Sequence, residues 1–243
     1  MSLANLEQIV RGMLNRFGVD LHRYRPEQSG MGRLSRMLSA HNINLVFDVG
    51  ANIGQFAVAL RRSGYSQKII SFEPLSNAHS KLTVESRHDR NWEIAPRAAI
   101  GDQEGEIIIH IAGNEVSSSA LDMLKSHVAA APDSAYISSE LARVCTLDSI
   151  ATRYLSAESS LFLKVDTQGY ERQVLDGAPR SLQQAKGIQL ELSLVPLYEN
   201  QELFDTLVKR LSNAGFSIWS IEPGFCDPKL GRMLQVDVTF FRD

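Results

Sequence analysis

A mainly parallel, doubly wound α/β sheet is the fold this sequence predicts. Three observations point to it. Strand-like and helix-like segments alternate from residue 44 onward. The loop Asp48-Val49-Gly50-Ala51-Asn52-Ile53-Gly54 follows an apolar run and opens a helical one. An acid, Glu73, ends the next apolar run, 19 residues after Gly54.

Each element has its own signal. Residues 3–17 carry Leu3, Leu6, Ile9, Val10, Met13, Leu14 and Phe17 at helical spacing, with one apolar face. Packing on the main domain is the simplest use of that face. Contact with a membrane surface or a lipid-linked substrate is the sharper one, and a homodimer would use it equally well. Residues 18–32 hold three glycines and a proline and read as a loop, followed by a short helix at 33–41. Residues 44–49 form a buried strand and 55–63 a helix that Gly64 stops. A strand at 68–72, a helix at 76–87 and strands at 92–100 and 105–111 come next. Residues 112–140 are rich in Ser, Ala and Gly without a clear period, and suggest a mobile segment over a site. Then come a strand at 161–165, a helix from 171, a strand at 188–192 and an amphipathic helix at 201–214. Strands at 216–221 and 235–241 close the chain as an antiparallel hairpin.

The 243 residues suit one large domain, here 42–243, preceded by a helical arm at 1–41. Apolar residues make up 44% and charged residues 22%, as in an ordinary soluble protein. The net charge of −3 does not suggest nucleic-acid binding. The arm is weakly basic: residues 1–40 hold six arginines against three acids, a balance of +3, while the other 19 basic and 25 acidic residues make −6. Cys145 and Cys226 fit no metal or redox spacing and read as reduced thiols. No apolar run is long enough for a membrane span, and the N-terminus has no signal-peptide pattern. A cytoplasmic protein is expected.

The loop at 48–54 lies where a strand turns into a helix, and glycine there lets the backbone approach a ligand. Glu73 is placed to accept hydrogen bonds from both hydroxyls of a ribose. A dinucleotide site would want G-x-G-x-x-G, but Asn52 and Gln55 occupy the second and third glycine positions. Asp48 would be badly placed beside a pyrophosphate. It suits a cofactor with a cationic amino-acid end, such as the ammonium and sulfonium of S-adenosyl-L-methionine. A nicotinamide cofactor is the weaker alternative.

From here the sequence resembles the FkbM family of methyltransferases. The likeness rests on Val46–Gly54, on Ser71-Phe72-Glu73-Pro74, on Thr146-Leu147-Asp148-Ser149-Ile150, and on Leu163-Lys164-Val165-Asp166-Thr167-Gln168-Gly169-Tyr170-Glu171 with Val174–Ala178 behind it. Ala98–Asp102 and Val236–Phe240 fit as well. The likeness covers roughly residues 44–243. It implies a Rossmann-like methyltransferase fold: a seven-stranded, mainly parallel sheet with helices on both faces and the antiparallel hairpin last. It implies O-methylation of a sugar, glycolipid or secondary-metabolite hydroxyl. Carried over by position, Asp48, Gly50, Ala51, Asn52 and Gly54 would hold the methionine end, Glu73 with Pro74 the ribose, and Ala99 the adenine. Tyr170 stands where a small residue is expected.

The stretch 164–171 ends a buried strand, at the edge where open α/β sheets bind ligands. Methyl transfer is an in-line displacement that depends on positioning, and an alcohol gains from a base that takes its proton. Asp166 is the first candidate for base or acceptor-orienting residue and Glu171 the second. Capping the following helix is the competing use of both. Asp166 with nearby oxygens could hold Mg²⁺, which is not the favoured reading, and no spacing supports a transition metal. Glu191, a charge in an apolar strand, is either functional or salt-bridged. Asp102 belongs to a turn, His110 reads as structural, and Ser117–Ser119 could close over the acceptor. Amine or peptide N-methylation and non-catalytic nucleotide binding are the alternative functions. The expected partner is a small molecule or glycoside, not a nucleic acid.

Overall fold

The computed structural model describes residues 3–19 and 29–242. Most of the loop expected at 18–32 lies outside the described residues. Helix α1 (Leu3–Asn15) forms as expected, but Ile9, Val10, Met13 and Phe17 are exposed rather than packed on the main domain. Helix α2 (Gly30–Ala40) starts three residues earlier than its periodicity suggests, because Ser29 caps it by accepting a hydrogen bond from the Gly32 amide at 3.0 Å.

The main sheet has seven strands. In chain order they are β1 (Leu45–Val49), β2 (Lys68–Phe72), β3 (Trp92–Ile94), β7 (Leu161–Val165), β8 (Ala185–Ser193), β9 (Phe216–Pro223) and β10 (Gln235–Arg242). Their spatial order is β3-β2-β1-β7-β8-β10-β9. The first five in that order run parallel, and β10 joins β8 and β9 antiparallel. The expected C-terminal hairpin is therefore present, with β10 inserted between β8 and the edge strand β9. Helices α3 (Gln55–Arg62) and α4 (Ser76–Glu85) follow β1 and β2.

A second sheet departs from expectation. The run at 92–100 is not one strand: it breaks at Pro96, giving β3 in the main sheet and β4 (Ala99–Gly101) in a three-stranded sheet ordered β4-β6-β5. Strand β5 (Gly105–Ala112) and β6 (Tyr136–Thr146) pair antiparallel along almost their whole length. The segment expected to lack structure thus supplies helix α5 (Lys125–Ala130) and the first five residues of β6.

Apolar residues alternate along the strands and fill both faces. Leu45, Phe47, Val49, Leu163, Val165, Leu190 and Val238 belong to one core, with Leu207 and Leu211 of α9 (Phe204–Asn213) packed in it. Val46, Phe162 and Phe241 face the other way, onto Leu34, Leu38, Ala57 and Leu60 of α2 and α3. The Thr146–Ile150 motif has a structural use. Thr146 caps α6 (Leu147–Ala151). Asp148 accepts from the Arg180 and Ser181 amides at 2.8 and 2.7 Å, so it caps α8 (Pro179–Gln184) from outside that helix. Burial of Asp148 works against its ionisation, but these bonds outweigh it and hold the carboxyl below its usual range.

Candidate active site

Strand pairing aligns polar residues across the sheet. Ser71, Asp48, Lys164 and Gln189 are register partners on β2, β1, β7 and β8, and the line continues through Thr239 on β10 and Ser220 on β9. Paired residues project to one face. Here it is the face covered by α2 and α3, since Val46, Phe162 and Phe241 lie two residues further from this edge. Glu191, Asp237 and Glu222 form a second aligned row nearer the edge, with Asp166 two residues beyond Lys164. The same face is therefore apolar near one end of the strands and polar at the C-terminal ends of the parallel ones, where ligands bind in such sheets.

A cavity of about 460 Å³ opens over this edge. Gly50, Ala51, Asn52, Glu73, Pro74 and Ala99 line one end, and Asp166, Gln189, Asp237 and Glu222 line the other. At the first end the wall is apolar, through Phe72, Leu75, Ala98, Ile100 and Ile109. Residues Glu115, Val116, Ser118, Ser119 and Ala120 also line it, so part of the 112–140 segment does lie over the site.

Gly50 adopts a left-handed backbone with φ of 78°. A Cβ there would stand 1.8 Å from the Asp166 carbonyl oxygen, so only glycine lets the two loops meet. Asn52 is also left-handed, at 48°, and its backbone amide donates to Glu73 at 2.8 Å. The second Glu73 oxygen accepts from the Leu75 amide at 2.8 Å. Burial pushes the Glu73 carboxyl up to about 7 against the pull of these two amides. Gly54 does not reach the cavity: it caps α3 and packs on Trp92 and Leu82.

Asp48 also departs from expectation. Its side chain is fully buried beneath the cavity floor, not on the wall. It accepts from Ser71 at 3.2 Å and pairs with Lys164 at 3.3 Å. Lys164 reaches Asp166 as well, at 3.4 Å. Burial raises the Asp48 carboxyl and Lys164 opposes that rise. Burial by itself would lower the Lys164 ammonium, but Asp166 and Asp48 together raise it, so it stays charged.

Asp166 lines the cavity, and its carboxylate also accepts from the Gln168 amide at 2.8 Å. Glu171, the second candidate, does not share that position. It is 2% exposed and turns back on its own loop, accepting from the Thr167 and Gly169 amides at 2.9 and 3.2 Å. Burial pushes its carboxyl up to about 7. It shapes the 166–170 loop from below and has no face on the cavity. Among the described residues Glu191 has no ion-pair partner, and it does not line the cavity: side-chain amides of Gln168 and Gln235 donate to it at 2.6 and 2.8 Å. Burial, with Asp166 and Asp237 close by, raises it well above the usual range. Gln168 also accepts from the Tyr198 hydroxyl at 2.8 Å, so one glutamine ties Asp166, Glu191 and Tyr198 together.

His110 lies off the cavity, stacked on Tyr136 and 3.5 Å from Asp122. Asp102 is exposed in the turn before β5. Ser118 and Ser119 reach the cavity wall, but their hydroxyls donate to the Glu115 and Gln168 carbonyls. Tyr170 lines the cavity and packs near Gly101. Among the described residues no three His, Cys, Asp or Glu side chains gather as a metal site. Gln168, Gln189 and Asp237 have no site role in the sequence reading, although Gln168 and Asp237 stand within its motifs. The polar–apolar alternation of Val236-Asp237-Val238-Thr239-Phe240 is the signal that places Asp237 on one face.

These residues fit a methyl donor of the S-adenosylmethionine type. Gly50, Ala51 and Asn52 line one end of the cavity, Glu73 offers a carboxylate for a ribose diol, and an apolar wall beside Ala99 suits adenine. Among the described residues Lys164 is the one ammonium that lines the cavity, and it is committed to Asp48 and Asp166 rather than free for a pyrophosphate. Fold and site together define an α/β methyltransferase. The family described as the methyltransferase FkbM domain matches residues 48–218, and the chain belongs to that family. Its methyl donor is S-adenosyl-L-methionine.

Among curated proteins no sequence match is found. Solved structures that resemble the chain include an rRNA methylase from Streptococcus thermophilus, with 10% identity, a TM-score of 0.46 and coverage of 91% of this chain and 99% of that one. Fibrillarin from Aeropyrum pernix with natively bound S-adenosyl-L-methionine gives 10%, 0.46, 82% and 66%. Precorrin-6y C5,15-methyltransferase from Geobacter metallireducens gives 10%, 0.43, 91% and 94%. Likenesses this distant add nothing to the family assignment. Among the described residues no helix is long and apolar enough to cross a membrane.

Proposed function

We propose that this protein methylates a hydroxyl group of a small acceptor: a sugar, a glycolipid or a secondary metabolite. The observation that carries this reading is the single cavity joining the Glu73 carboxylate to the Asp166 carboxylate. S-adenosyl-L-methionine, when bound, supplies an activated methyl group on a positively charged sulfur. Glu73 receives the ribose hydroxyls, and the loop from Gly50 to Asn52 cradles the amino-acid end. Asp166 orients the acceptor hydroxyl and can take its proton, with Lys164 and Gln168 fixing its position. Asp48 acts through Lys164 as a positioning residue. The acidic row at the acceptor end supports a small molecule over a nucleic acid, whose phosphates it would repel. The two free cysteines support a cytoplasmic setting.

Calorimetry with S-adenosyl-L-methionine and S-adenosylhomocysteine, with NADH as control, tests the reading. We expect micromolar binding of the first two and none of NADH. Glu73→Gln should weaken binding by about tenfold or more, since its amide can replace only one of two acceptor oxygens. Because the Glu73 carboxyl is pushed up to about 7, affinity should also fall as pH drops through that value. Failure to bind either compound, or a preference for NADH, would overturn the assignment. With binding in hand, an Asp166→Ala variant that turns over normally would remove Asp166 from the reaction.

A further inference from the structure

We infer that Asp237 is an acceptor-binding residue, the carboxylate that receives hydrogen bonds from the hydroxyls of an uncharged, polyhydroxylated acceptor lying between it and Asp166. The inference rests on the methyltransferase reading above and adds the residue that selects the substrate.

The cavity continues past Asp166, across β8 to Gln189 and Asp237, and ends under Gly30 and Met31 of α2. The cofactor features all lie on the β2, β1 and β4 side, which leaves this half for the acceptor. Neighbouring strands are about 4.8 Å apart, so β7 and β10 are separated by roughly 10 Å, enough for a sugar ring with its hydroxyls.

The other acids of this row are already satisfied. Glu191 accepts from Gln168 and Gln235. Glu222 is bound by Arg33 at 3.1 Å and by Ser220 at 2.6 Å. The Asp237 side chain lines the cavity, and among the described residues no hydrogen bond or ion pair reaches its carboxylate. The Asp237 carboxylate is half-buried, and its uncommitted oxygens are free to accept from a molecule in the cavity. Glu191 of β8 and Glu222 of β9 flank it in register, Asp166 and Lys164 approach from β7, and Arg33 of α2 stands behind Glu222. Lys164 and Arg33 are committed to Asp166 and Glu222, and among the described residues no other cation lines this end to receive an anion. A neutral donor of hydroxyls fits. Burial, with Asp166 next, pushes the Asp237 carboxyl up to about 6, so it accepts fully only above that pH.

The full chain, saturated with S-adenosylhomocysteine, is titrated with a set of neutral methyl glycosides and with their 6-phosphates, followed by saturation-transfer NMR. Carbon-13 labelling of aspartate carboxyls reports on Asp237 directly, its signal assigned by its loss in Asp237→Asn. We expect neutral glycosides to bind and shift that signal, the phosphates to fail, and Asp237→Asn to weaken glycoside binding about tenfold. S-adenosylhomocysteine affinity should be unaltered in the variant. Equal glycoside binding by both forms, binding of the phosphates as tightly as the neutral compounds, or no glycoside binding at all overturns the role of Asp237. Loss of S-adenosylhomocysteine binding by the unmutated protein instead overturns the cofactor reading on which it rests.

Discussion

Asp48 and Lys164 pair at 3.3 Å beneath the cavity, one fully buried and the other nearly so. The two charges come from adjacent strands, β1 and β7, in direct register. Each neutralises the other in a place where a lone charge could not be tolerated. Lys164→Met therefore leaves Asp48 buried without a counter-charge, and we expect it to cost about 3–5 kcal/mol. The deficit has a pH signature. The folded Asp48 carboxyl is already raised by burial, and losing Lys164 raises it further. Stability is then lost as pH rises through the range between the unfolded and folded values, so the deficit should shrink near pH 5 and widen near pH 8. Urea denaturation at the two values checks this, and a pH-independent deficit would contradict it.

Much of this arrangement is local and could be read directly. The loop at 48–54 and the acid at Glu73 are short-range signals, since a strand, a turn and a helix start follow one another in sequence. The same holds for Asp166 at its strand end. What stayed hidden depends on pairing between distant segments. Strand β6 carries Ser138, Ser139 and Glu140 along a largely exposed stretch, and only its partner β5, some 30 residues earlier, makes it a strand. Asp48 looked like a cofactor contact because its position in the motif says nothing about which way it points. Lys164, its register partner, draws it under the floor. Glu171 has the same history: it follows the site closely in sequence, but the backbone amides of Thr167 and Gly169 take its carboxylate. The alternation at 236–240 puts Asp237 on one face of its strand, but only the alignment of β8, β10 and β9 brings it into one row with Glu191 and Glu222.

The buried acids also set how stability responds to pH. Burial pushes Glu73 and Glu171 up to about 7 and Asp237 up to about 6. Each binds a proton more readily in the folded chain than unfolded, so each stabilises less as pH rises from about 4.5 to 7. His127 works the other way. Burial against Tyr198 and Phe225 lowers it to about 4, so it costs stability as pH falls below its unfolded value of about 6.5. Three acids outweigh one histidine, and the ligand-free protein should melt several degrees higher near pH 5.5 than near pH 7.5. His127→Phe removes the opposing group together with its unpartnered Nδ1, and should steepen the trend. A melting temperature that is flat or rising across this range would refute the argument.

Gly50 and Gly64 share a left-handed backbone, with φ of 78° and 101°, but differ in what surrounds them. A Cβ on Gly64 meets nothing within 4 Å, whereas on Gly50 it would collide with the Asp166 carbonyl at 1.8 Å. Gly64→Ala should therefore cost only the backbone strain, about 1 kcal/mol, and leave S-adenosylhomocysteine binding intact. Gly50→Ala adds to that strain the displacement of Asp166, whose amide donates to Val49 at 3.0 Å and whose side chain holds Lys164. We expect it to cost about 2–5 kcal/mol and to weaken S-adenosylhomocysteine binding by more than the stability loss alone explains. Thermal melts and calorimetry on the pair separate the two effects. If both alanines behave alike, backbone strain is the whole story, and the contact between the two loops does not organise the site.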